Sequence, residues 1–142
     1  EVELVYREPL VVALNSRNPL ASQSHIHISD LRREPLIWDE SPMAVAYITR
    51  LFCSHGIEPR FLLRTVDMMS AALMVASGAG TTLVAESLQK LNLPNVVFRP
   101  FEAGCDIRID LHCAWRKQET SPLLSELLKT IRAWSAERVS HT

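Results

Sequence analysis

Short apolar runs alternate along this chain with segments whose apolar residues recur at helical spacing. Leu10 to Leu14 is continuously apolar and is stopped by the turn residues Asn15-Ser16-Arg17-Asn18-Pro19. Such a run suits a strand buried on both faces, as in a parallel sheet. Leu36-Ile37-Trp38 is a second short strand, Phe61 to Thr65 a third, Thr81 to Ala85 a fourth and Val96-Val97-Phe98 a fifth. Between them, Ser41-Pro42 opens a helix. Ser caps an orphan N–H, and Pro takes the first helical position, where no N–H is required. Ala44, Tyr47, Ile48, Leu51 and Phe52 form its apolar stripe. His55-Gly56 closes it, and Pro59 bars continuation.

Asp67 is the expected N-cap of a helix from Met68 to Ser77. That helix is apolar nearly all round, so burial is expected on every side. Gly78-Ala79-Gly80 ends it, and strand, helix and strand then make a βαβ unit. Ser29-Asp30-Leu31 reads as the cap of one short helical turn. From Asp106 to Trp115 the pattern changes to strict alternation, which predicts a half-buried strand. Ser121-Pro122 starts a last helix carrying Leu123, Leu124, Leu127, Leu128 and Ile131. Ser135 to Thr142 reads as a frayed polar tail. The fold class is therefore α/β. In such sheets ligands bind at the carboxyl ends of strands, where helix N-termini point into a crevice.

Bulk properties exclude several functions. The 142 residues are 47% hydrophobic and 22% charged, a globular balance, with a net charge of -1. The basic residues are scattered, so no stripe matches a row of phosphates. Three irregularly spaced cysteines make no disulfide framework and favour a reducing compartment. No signal peptide and no membrane-length apolar run is visible, so the expected location is cytoplasmic, with no membrane partner. The chain opens mid-pattern and without Met, as a piece of a longer protein would.

The candidates for chemistry are few. His25-Ile26-His27 has metal-ligand spacing, but no third ligand stands nearby, and no metal or cofactor is expected. Gly78-Ala79-Gly80 follows a helix and precedes a strand, the reverse of a nucleotide-binding loop. Asp39 and Glu40 read as solvated loop acids. No nucleophile, base and orienting group can be assembled, so no enzyme is expected. The Ser41-Pro42-Met43-Ala44 helix start is stronger. Free N–H groups at Met43 and Ala44, with the Ser41 hydroxyl, suit a carboxylate or phosphate.

Several segments together resemble the LysR-type transcription regulators. They are Glu8 to Leu14, then Asn18-Pro19-Leu20-Ala21, Asp30-Leu31 and Glu34-Pro35-Leu36-Ile37. Further on come His55-Gly56-Ile57-Glu58-Pro59, Ala72 to Gly80 with Leu83-Val84, and Ala114-Trp115-Arg116 with Ser121 to Leu124. The resemblance implies an effector-binding domain of the type 2 periplasmic-binding-protein-like fold, with subdomain two complete and only the C-terminal part of subdomain one. The implied divisions are residues 1–8 as a hinge strand, 9–103 as subdomain two, and 104–142 as a return strand and helix of an incomplete subdomain one. The winged helix-turn-helix that contacts DNA would lie outside this chain.

The resemblance further implies a small-molecule effector, an organic acid among the candidates, held between the subdomains. Its matching positions are Ser41, Pro42, Met43, Ala44, Thr65, Val66, Asp67, Met68 and Thr81, with Gly80 at a tight backbone passage. The acids Asp39, Glu40 and Asp67 weigh against a simple anion. With half of subdomain one missing, weak or no effector binding is expected, and self-association too, the strand Asp106–Trp115 and the helix Pro122–Ala133 pairing with another copy or repacking onto subdomain two. The alternative is a solute-binding lobe of a transport receptor with the same fold.

Overall fold

A computed structural model describes residues 1–139, and the side chains of residues 1–136. The strands are β1 (Val2–Asn15), β2 (Pro35–Asp39), β3 (Arg60–Thr65), β4 (Thr82–Ala85), β5 (Val96–Arg99) and β6 (Arg108–Ala114). The helices are α1 (Pro42–Ser54), α2 (Met68–Ala76) and α3 (Pro122–Val139), with short 3-10 turns at Pro19–Ser22, Ile28–Arg33 and Glu86–Leu91. The chain forms two compact units. One is residues 9–107; the other joins residues 1–8 to 108–142.

In the larger unit the second half of β1 is the central strand. Leu10 to Leu14 are all buried. Their neighbours are antiparallel, not parallel: Leu10 to Ala13 pair with Ala85 to Thr82, and Val12 to Asn15 with Arg99 to Val96. A continuous apolar run reports only that both faces are covered, and direction is set by the connections. Period two sorts the side chains between two clusters. Leu10, Val12, Leu14, Leu36, Trp38 and Leu83 join Ile48 and Phe52 of α1. Val11, Ala13, Ile37 and Val84 join Ala71, Ala72 and Val75 of α2.

The parallel strands are β2 and β3, joined through α1, with Asp39 opposite Thr65. The strand–helix–strand unit expected across α2 is different in detail, because β4 pairs with β1 and not with β3. The chain reaches β2 again at Thr81, whose N–H donates to the Pro35 carbonyl and whose carbonyl accepts from Ile37 N–H, each at 2.9 Å. Gly80 makes this approach possible. A Cβ there would lie 2.6 Å from the Pro35 carbonyl oxygen and 3.1 Å from Ile37 Cγ1.

Other expectations are corrected. α2 is not buried all round: Met69 and Leu73 are exposed, because only its Ala71-Ala72-Val75 face meets the sheet. The 3-10 turn at Ile28 is closed by Asp30, which accepts from His27 N–H at 3.0 Å, and Ser29 lies inside it.

In the smaller unit, β6 pairs with β1 and α3 is tied to β1. Arg132 grips Glu3 through three hydrogen bonds of 2.7–3.1 Å. Arg7 binds both carboxylate oxygens of Asp110 at 2.7 and 2.8 Å. Tyr6 meets Trp134 edge-on at 5.6 Å. The alternating strand is shorter than expected, and Ile109, Leu111, Leu123 and Leu127 of this unit are exposed. α3 continues through Ser135 to Val139; residues 140–142 lie outside the described residues.

Candidate functional site

The carboxyl ends of β2 and β3 lie side by side, so the helices that follow them start next to each other. The Glu40 amide donates to the Thr65 carbonyl at 2.9 Å, fastening the two loops together. Ser41 is the N-cap of α1, and its Oγ accepts from Ala44 N–H at 3.3 Å. Trp38 Nε1 donates to the Ala44 carbonyl at 2.8 Å, which locks the first turn onto β2. Asp67 caps α2. Its Oδ1 accepts from Ser70 N–H at 2.7 Å and its Oδ2 from the Ser70 hydroxyl at 3.0 Å. Thr65, buried, donates its hydroxyl to the Asp67 carbonyl at 3.1 Å.

Two acids act here, and only one of these roles was read from sequence. Asp39 Oδ1 accepts from Ser41 N–H at 2.6 Å, so it is an internal partner of the α1 start and not a solvated loop acid. The backbone N–H and hydroxyl of Ser70 hold the Asp67 carboxyl below its ordinary pKa. Each helix N-terminus thus already has a carboxylate of its own beside its partial positive charge.

The donors left over are specific. Ala44 N–H, expected to be free, is engaged by Ser41. The N–H groups of Met43 and Met68 have no acceptor among the described residues. Met43 and Val66 are strongly exposed, at 85% and 73%, and Ser41, Pro42 and Asp67 are exposed too. One amide per helix, plus the Ser41 hydroxyl proton, can serve an oxygen acceptor. With Asp39 and Asp67 already beside the helix starts, hydrogen bonding outweighs net charge in what this face can hold.

Thr81 stands apart from the other eight residues. It is fully buried beside Leu36, near the amino end of β2, and its hydroxyl donates to Glu34 Oε2 at 2.8 Å. Glu34 also accepts from Asn18 Nδ2 at 2.8 Å. Sequence reasoning did not single out Glu34, and a lone acid before Pro35 gives no signal of it. Among the described residues no group of three metal-ligating side chains is assembled. His27 instead pairs its Nδ1 with Glu102 at 2.7 Å, which raises its pKa. No helix among the described residues is long and apolar enough to cross a membrane.

The model of the LysR substrate binding domain family matches residues 1–136. The chain belongs to that family. Among curated relatives of this LysR domain, the transcriptional regulator TtuA of Agrobacterium vitis is 30% identical over 136 residues, covering 92% of this chain and 45% of that protein. The regulator BenM of Acinetobacter baylyi is 30% identical over 134 residues, covering 91% and 44%. The chain therefore spans less than half the length of these relatives. The solved effector binding domain of BenM with its effector benzoate superposes with a TM-score of 0.81 at 28% identity, over 97% of this chain and 64% of that one. The fold is that of LysR effector-binding domains, the type 2 periplasmic-binding-protein-like α/β fold. The regulator CbnR, at 23% identity and a TM-score of 0.82, shares that fold. The named relatives are transcriptional regulators, not enzymes and not transport receptors.

Proposed function

We propose that this chain is the effector-sensing part of a LysR-type transcription regulator and takes a small molecule against the N-termini of α1 and α2. The observation that carries this reading is the pairing of Asp39 with Thr65, which puts two helix starts side by side. The contacting residues are Ser41, Pro42, Met43, Ala44, Val66, Asp67 and Met68, with Thr65 bracing the loop and Thr81 acting from behind through β2. The ligand presents an oxygen acceptor to the Met43 and Met68 amides. BenM's benzoate makes a small carboxylate a reasonable probe. Asp39 and Asp67 favour ligands whose acceptor is neutral or only partly charged.

In this reading residues 1–8 serve as the hinge strand, 9–103 as the sensing subdomain, and 104–142 as the return segment. DNA contact belongs to a part of the regulator outside this chain, in keeping with its net charge of -1 and scattered basic residues. In this reading the chain senses and does not catalyse, with Asp39 and Asp67 held by the Ser41 and Ser70 amides beside the helix starts.

A second copy is the proposed protein partner. β3 has one strand neighbour only among the described residues, and its Leu62 and Leu63 are exposed. An open apolar edge of this kind favours pairing between chains. Sedimentation at rising concentration should show a dimer; a monomer throughout would reject the partner.

Met68→Pro tests the site. Proline at the first helical position fits the helix and deletes one amide. The variant should keep its cooperative unfolding yet lose most of the thermal stabilisation that benzoate or benzamide gives the parent chain. Equal stabilisation of both would remove the Met68 amide from the site.

A further inference from the structure

At the other end of β2, the larger unit carries a groove of about 760 Å³, lined by none of the nine residues discussed above. Its walls are the turn after β1, the start of β2, the C-terminal end of α2 and Asn95. Most of its polar groups are already paired. Asn15 Nδ2 donates to the Val75 and Ala76 carbonyls at 3.0 and 3.1 Å, and its Oδ1 accepts from Arg17 N–H at 3.0 Å. Asn18 Oδ1 accepts from Leu20 N–H at 2.9 Å.

Two charged groups are exceptions. Asn18 and Thr81 both donate to Glu34 Oε2, each at 2.8 Å, so the carboxylate is fixed through one oxygen. Its Oε1 has no donor among the described residues. The Arg17 guanidinium likewise has no partner there, and it forms no ion pair with Glu34. Opposite charges therefore line one groove without neutralising each other. α2 ends at the same groove, with Gly78 at φ +86°, and adds partial negative charge.

This pattern selects among ligand classes. A simple anion is opposed by Glu34 and the α2 end, and a simple cation by Arg17. No aromatic side chain lines the groove, so a sugar or base has no stacking platform. We propose that the groove binds a small zwitterion of the amino-acid or dipeptide class, with its ammonium at Glu34 Oε1 and its carboxylate at Arg17. The carboxylate can be held by two parallel N–H donors of the guanidinium.

Glycylglycine is the test probe, titrated into the isotope-labelled full chain while amide shifts are followed. Saturable shifts are expected at Arg17, Asn18, Gly78 and Asn95, with none at Met43 or Met68. N-acetylglycylglycine and glycylglycinamide each lack one charge and should bind at least about tenfold more weakly, the effect of losing one charge-assisted contact. Arg17→Ala removes an exposed, unbonded side chain, so the fold should survive while binding falls by a similar factor. Glu34→Gln keeps an oxygen for Asn18 and Thr81 but loses the charge, and should do the same. Absence of saturable shifts, equal binding of the blocked dipeptides, or unchanged binding by Arg17→Ala would each overturn the proposal. None of these outcomes bears on the site at α1 and α2.

Discussion

Gly80 shows how one residue can decide whether two segments meet. Its backbone passes so close to β2 that a methyl group would lie 2.6 Å from the Pro35 carbonyl oxygen, and a carbonyl cannot swing aside as a side chain can. Gly80→Ala should therefore destabilise the chain by about 1–3 kcal/mol, the usual range for overpacking. Gly56 is the comparison. It has φ +67° and open space around it, so Gly56→Ala should cost about 1 kcal/mol through backbone strain alone. Urea unfolding of the two variants checks this, and a smaller loss at Gly80 than at Gly56 would contradict it. The tight passage at Gly80 was legible in the sequence through its family pattern, and Asp67 was legible as a cap from its place before an apolar run. The hold of Asp39 on the Ser41 amide and that of Glu34 on Thr81 were not. Both depend on which group folding brings within 3 Å, and neither leaves a spacing to read.

Elements were legible where a pattern names its own boundary. α1 begins at Pro42 and ends before Gly56 because Ser-Pro is start chemistry and Gly stop chemistry in themselves. α2 misled because apolar composition does not say which face has something to pack against. β1 misled in direction for the corresponding reason. Its first half belongs to the smaller unit, and there charge does more of the holding. Arg132 holds the Glu3 carboxyl below its ordinary pKa by hydrogen bonding, and Arg7 does the same for Asp110. A carboxyl with a lowered folded pKa adds stability above its unfolded pKa and loses it as the pH falls through the folded value. The contribution is thus present above about pH 4 and fades below it. Both pairs are exposed, so the effect is modest. Hydrogen exchange should accelerate in α3 and in Val2 to Arg7 between about pH 4 and 2, after correction for the intrinsic rate, and less so in Leu10 to Leu14. Uniform acceleration of both would show that the ion pairs do not hold this unit.

At the scale of the larger unit, α1 packs into one apolar cluster and α2 into the other, and the register of β2 with β3 leaves both helix N-termini at one end of that parallel pair. That placement follows from connection direction, and any chain with this order of elements would share it. What is particular here is the local chemistry: one capping acid, a second acid that holds the Ser41 amide, two amides without acceptors and one serine hydroxyl. In the proposed site a small molecule presents an oxygen acceptor to those amides. Amide-shift mapping of the labelled chain, during titration with small carboxylic acids and their neutral amides, tests it most directly. The largest shifts are expected at Met43, Ala44 and Met68, with neutral amides retained at least as well as the acids. Shifts concentrated elsewhere, or no movement within residues 39–44 and 65–68 at saturating ligand, would contradict it.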